Sequence, residues 1–128
     1  MRKFIALLLT LFVSIALQAQ QPEDKYPFLS FVKREQNFGD IKRGTIVSHQ
    51  FEFTNTGNAP LVLADVRVTC GCTVTQWTRQ PIMPGEKGVI VVQFNSADHI
   101  GPQNKVVTVL SNAKNDIEHL LIRANVIP

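Results

Sequence analysis

Between Ile46 and Asn55 the chain alternates, with Val47, His49, Phe51 and Phe53 on one face and Ser48, Gln50, Glu52 and Thr54 on the other. A period of two marks a half-buried strand, because successive side chains of extended backbone point to opposite sides. Similar runs recur at 27–32, 61–69, 73–77, 88–95, 105–110 and 119–127, the last with Leu120, Ile122, Ala124 and Val126 on one face. Between them lie turn-rich segments at 38–44, 56–60 and 80–86, which hold glycine, proline and asparagine. No useful window carries helical periodicity. Seven short strands spaced by turns predict an all-β, immunoglobulin-like antiparallel β-sandwich. The two distant cysteines flanking a tryptophan, which mark true immunoglobulin domains, are absent.

The N-terminus reads differently. A basic Met1-Arg2-Lys3 start leads into an apolar run at 4–17 broken only by Thr10 and Ser14, then small Ala19 and a polar segment. That pattern predicts a secretory signal peptide over 1–19, cut after Ala19. The run is short for a membrane span, which needs roughly 20 apolar residues. No cysteine follows it to carry a lipid, so no membrane anchor is expected after cleavage. Residues 20–27 read as a flexible lead-in and 28–128 as the sandwich. The expected location is the bacterial periplasm or the exterior.

Export changes the charge argument. The 128 residues hold 13 Lys+Arg against 10 Asp+Glu, and removing Arg2 and Lys3 leaves 11 against 10. A net charge near +1 gives no reason to expect nucleic acid or an acidic membrane surface as partner.

The only cysteines, Cys70 and Cys72, flank Gly71. If the strand before them stays regular, Val62, Ala64, Val66 and Val68 face the core and the two cysteines extend that row. One reading is therefore two small buried side chains. A disulfide is a second. Residues two apart in a strand have Cα atoms roughly 6.6 Å apart, near the upper limit for bridging, and Gly71 can relax the backbone. So small a loop adds little stability, although an oxidising compartment preserves it. A soft-metal site is a third: two thiolates suit Cu(I) or zinc. Further ligands would come from His49, His99, His119 or Met83, none at a metal-ligand spacing; no metal ligand is assigned, and the alternative set is Cys70, Cys72 and His49. Thiol-disulfide catalysis ranks last, since no helix start stands beside the cysteines to lower a thiol pKa.

No catalytic residue is expected. There is no Gly-x-Ser-x-Gly elbow and no phosphate-binding glycine loop. Trp77 beside the core stripe reads as packing. The first expectation is a non-enzymatic module without a cofactor, binding a protein or glycan through sheet edges or end loops. The alternative is a copper- or zinc-binding or thiol-disulfide protein using Cys70 and Cys72.

From Phe38 onward the chain resembles the bacterial domain of unknown function 1573 family. The matching segments are FGDIKRGTIVSHQFEFTNTGNAPLVLADVRVTCGCT, PIMPGEKGVIVVQFNS and KVVTVLSNA. They carry, in order, Phe38-Gly39, the Phe51 to Gly57 turn motif, Cys70 to Thr73, the Pro81 to Glu86 loop, and Ser111-Asn112. Ala124 departs from the glycine usual in the family's last strand. The resemblance implies an immunoglobulin-like sandwich related to Hydin and major-sperm-protein modules, in exported bacterial proteins. It implies no particular activity.

Overall fold

A computed structural model describes residues 23–128; the expected signal peptide lies outside them. Eight strands follow in order: β1 (Leu29–Phe31), β2 (Glu35–Lys42), β3 (Ile46–Asn55), β4 (Leu63–Val68), β5 (Thr73–Trp77), β6 (Lys87–Asn95), β7 (Gly101–Ser111) and β8 (Ile117–Ile127). They form two four-stranded sheets, β1-β3-β6-β5 and β2-β8-β7-β4. Every pairing is antiparallel except β2 with β8, which is parallel. The expected sandwich is therefore the fold, with one strand more than the sequence shows.

The core lies between the inner faces. Phe51, Phe53, Ile90, Val92, Val107, Val109, Leu120 and Ile122 are all at most 1% exposed and form its centre. Burying each such side chain contributes about 1.5–3 kcal/mol, and this drives the two sheets together. A second cluster of Ile41, Phe94, Ala124 and Val126 sits nearer one end, with Cys72 packed against it.

Two sequence expectations change. Residues 38–44, read as a turn-rich connection, are mostly strand. EQNFGDIK is a polar edge segment with little alternation. Gly39, at φ 68°, absorbs a register shift between Asn37 and Asp40.

The row of Val62, Ala64, Val66 and Val68 is not one face. Leu61 and Leu63 are buried, Val62 is 38% exposed, and the core side returns at Val66. A register shift between Leu63 and Asp65 moves the pattern by one residue. Asp65 helps to hold it, its Oδ1 accepting from the Val66 N–H at 2.9 Å.

The end of the sandwich that holds the β3–β4 turn is organised by Asn55, fully buried at the close of β3. Its Nδ2 donates to the Ala59 and Ile82 carbonyls at 2.7 and 2.9 Å, and its Oδ1 accepts from the Phe28 and Gly57 N–H groups. Gly57 is required there, since a Cβ would stand 2.3 Å from the Tyr26 carbonyl oxygen. Residues 24–27, part of the segment read as lead-in, join this end: Tyr26 and Asn58 exchange hydrogen bonds, and Lys114 N–H donates to the Pro27 carbonyl.

Candidate functional site

The family-like motifs separate by what they do. Phe51, Phe53, Asn55 and Gly57 build core and turn. In the Pro81 to Glu86 loop, Ile82 bridges Leu61 and Glu86 Oε2 accepts from the Met83 N–H. Asn112 accepts from the Val62 N–H and donates to the Pro60 carbonyl. Each has a structural task. The Cys-Gly-Cys segment does not fit that account.

β4 stops at Val68, and the cysteines do not continue it. Cys70 to Thr73 form a turn closed by Thr73 N–H donating to the Cys70 carbonyl at 3.1 Å. This turn carries the chain from one sheet to the other. It contracts the Cys70–Cys72 Cα separation to 5.2 Å, below the extended value, and the two sulfurs are bonded as a disulfide. Both cysteines are half-buried and Gly71 is exposed. A Cβ at Gly71 would meet nothing within 4 Å, and its backbone is not among the left-handed glycines. Neither packing nor conformation demands glycine here. Gly71 itself stands open to solvent between two half-buried cysteines.

The neighbouring β6–β7 loop adds the third group. The ligating atoms of Cys70, Cys72 and His99 lie within 4.8 Å of one another. His99 is held in place from several directions. Its N–H donates to the Ser96 carbonyl, and its ring stands 5.5 Å from the buried Phe94 ring. Ser96, fully buried, donates through Oγ to the Thr45 carbonyl at 2.7 Å, and Arg43 Nε donates to the Ala97 carbonyl. Asn95 N–H donates to the Cys72 carbonyl at 2.9 Å and ties the two loops together. Hydrogen-bond donors also reach the sulfurs: Cys72 N–H lies 3.2 Å from Cys70 Sγ, and the Thr73 hydroxyl lies 3.8 Å from Cys72 Sγ.

The other expected ligands lie elsewhere. His49, the histidine of the alternative ligand set read from sequence, is not in this cluster. It lines a shallow depression with Val32, Lys33, Gln50 and Glu52, its ring 4.6 Å from Phe51. Burial first, and the Lys33 charge second, hold its imidazole below the ordinary value, so it is neutral at pH 7. Met83 sits exposed in the loop between β5 and β6, at the other end of β5 from the cysteines. His119 is on the outer face of the second sheet, Nδ1 3.3 Å from Thr108 Oγ1. Trp77 packs against the core, with the Arg79 guanidinium 3.5 Å over its ring. His99 is one of the four candidate ligands in the sequence, but nothing there singles it out, because it is distant from the cysteines along the chain. Only the pairing of Thr73 with Phe94 brings residue 72 beside the β6–β7 loop.

Fold and site together define an all-β, immunoglobulin-like sandwich of the PapD-like kind, carrying a Cys-Gly-Cys turn at one end. Residues 29–126 match the protein family of unknown function DUF1573, and the chain belongs to it. A protein of unknown function from Porphyromonas gingivalis W83 superposes with TM-score 0.71 at 14% identity, over 84% of this chain and 50% of its own. The ASH/PapD-like domain 7 of human CEP192 gives TM-score 0.61 at 9% identity, over 84% and 91%. The VesB protease of Vibrio cholerae gives 0.61 at 16%, over 78% and 32%. This chain thus spans half or less of the bacterial proteins named. At these identities the likeness is one of fold. No curated protein matches the sequence.

Proposed function

We propose that the chain is an exported, non-enzymatic binding module of the bacterial cell envelope, and that it holds a protein partner on the outer face of the β2-β8-β7-β4 sheet. The observation that carries this reading is an exposed aliphatic patch. Val106 and Leu110 alternate with buried Val107 and Val109 on β7, while Ile117 and Leu121 alternate with buried Leu120 and Ile122 on β8. The register sets Val106 beside Leu121 and Leu110 beside Ile117, with Thr108 and His119 between them. Val106 and Ile117 are 44% and 56% exposed. Ion pairs flank the patch, Asp65 with Arg67 on β4 and Glu35 with Arg123 on the β2 side. An apolar centre inside a charged rim is the anatomy of a protein interface. A glycan would call for tryptophan, tyrosine or phenylalanine rings to stack on, and this patch is made of aliphatic side chains with Thr108 and His119.

The test is a photo-crosslinking side chain placed at Val106 in cells. One discrete adduct in the envelope fraction, lost on Ile117→Glu, is expected. The same probe at Gln50, on the outer face of the other sheet, should give none. Equal adducts from both faces, or none from Val106, would overturn the reading.

A further inference from the structure

We infer that Cys70, Cys72 and His99 form a redox-gated site for a soft monovalent cation of the Cu(I) type, closed by the disulfide and opened by its reduction. This stands apart from the outer-face reading, since the loops involved lie at one end of the sandwich.

Three observations converge. The ligating atoms of the three residues already lie within 4.8 Å of one another. Two donors bound to one metal at about 2.3 Å each stand at most about 4.6 Å apart, so small side-chain rotations complete the geometry. The framework is also prepared. The Ser96 and Asn95 hydrogen bonds fix the loop that presents His99, and Cys72 N–H and the Thr73 hydroxyl face the sulfurs. Such outer donors stabilise thiolate charge and orient ligands. Finally, glycine at position 71 answers no demand of the fold, yet leaves the turn open to solvent.

Ligand number selects the metal. Structural zinc takes four protein ligands in a tetrahedron. Among the described residues only these three gather, and no fourth His, Cys, Asp or Glu joins them. Two thiolates and an imidazole suit Cu(I), which prefers soft sulfur donors.

The chemistry balances with a small dithiol as reductant. It passes two electrons and two protons to the Cys70–Cys72 bond, which breaks into two thiols while the dithiol becomes a disulfide. Cu(I) then displaces the two thiol protons to solvent, forms two Cu–S bonds, and takes a His99 ring nitrogen lone pair as third donor. For release, a small-molecule disulfide takes two electrons from the Cys70 and Cys72 thiolates and two protons from solvent, becoming a dithiol while the Cys70–Cys72 bond re-forms; both Cu–S bonds break and the ion leaves as Cu(I).

The test is anaerobic titration of the purified protein with Cu(I) against a chromophoric Cu(I) chelator. Phosphine-reduced protein is expected to withdraw one Cu(I) per chain, and air-oxidised protein none. His99→Ala should weaken binding at least about tenfold, His99→Cys should retain it, and His49→Ala should leave it unchanged. Circular dichroism of each oxidised variant confirms that the fold is intact, and His99→Cys serves if His99→Ala does not fold. Failure of the reduced protein to compete overturns the inference. So does equal affinity in His99→Ala, a loss caused by His49→Ala instead, or stoichiometric Zn(II) binding without Cu(I).

Discussion

The ring of Phe53 occupies the space in which a side chain at position 88 would stand: a Cβ built on Gly88 falls 2.4 Å from Phe53 Cζ. The two residues are register partners on β3 and β6, and Phe53 is fully buried. A buried ring has no free end to swing aside, so Gly88→Ala must push the strands or the ring. Overpacking of this kind costs about 1–3 kcal/mol. Urea unfolding should show a loss in that range. A change below about 0.5 kcal/mol, the usual size of a surface substitution, would mean the core yields more easily than its geometry says.

Asn55 supplies the second prediction. Its amide makes four hydrogen bonds, two as donor and two as acceptor, inside the fold. Asn55→Ala leaves the Ala59 carbonyl and the Phe28 and Gly57 N–H groups without their partner and takes one of two donors from the Ile82 carbonyl, which keeps the Leu61 N–H; this predicts a loss of roughly 2–4 kcal/mol. Asn55→Asp is the sharper variant, because a carboxylate keeps the acceptor and turns a second oxygen toward the Ala59 and Ile82 carbonyls. It should be at least as damaging as alanine at pH 7. Near-native stability in Asn55→Asp would refute the donor role.

These residues show what could be read without coordinates. β3 was legible because one of its faces is buried and the other wet, and the alternation ends at Asn55. β5 was bounded correctly by the turns around it. β2 was not legible: it is an edge strand with only two apolar residues, Phe38 and Ile41, and the bulge at Gly39 shifts the alternation by one so that they stand three apart, while its parallel partner β8 lies at the far end of the chain. The row leading to the cysteines was misread for a local reason. A one-residue register shift at Asp65 inverts the faces, and periodicity before a bulge says nothing of the periodicity after it. The cysteine pair was visible as a possible site. Its third member, His99, depends on which strands are neighbours, and that is a property of the sandwich rather than of any window.

Glu118 gives a pH prediction. Burial pushes its carboxyl up, but hydrogen bonds from Arg34 and Asn115 and the Arg34 charge outweigh that and hold it below its ordinary value of 4.5. A carboxyl depressed in the folded state stabilises fully above its unfolded pKa and loses that contribution as pH falls through the folded one. Wild type should therefore exceed Glu118→Gln in Tm at pH 6–7, with the gap narrowing below about pH 4.5. Arg34 is half exposed, so the gap should be worth no more than about 1 kcal/mol. A gap that is constant from pH 7 to pH 3 would show that charge is not its source.

The last prediction concerns the Cys70–Cys72 bridge itself. It closes a three-residue loop, and the chain-entropy relation assigns such a loop about 1.6 kcal/mol. The turn around it is held independently by Thr73 N–H on the Cys70 carbonyl and Asn95 N–H on the Cys72 carbonyl. Reduction should therefore leave the sandwich folded, with urea midpoints of reduced and oxidised protein differing by no more than that loop term. The double variant Cys70→Ser/Cys72→Ser should behave like the reduced protein and still present the outer-face patch. The bridge should also react in the native state, because both cysteines are only half-buried and Gly71 between them is exposed: a phosphine should open it at a rate that does not rise when urea is added below the unfolding transition. Loss of the fold on reduction would make the disulfide a structural staple. Reduction that occurs only after unfolding would place the sulfurs inside the core, and the turn could not then serve as a gated site.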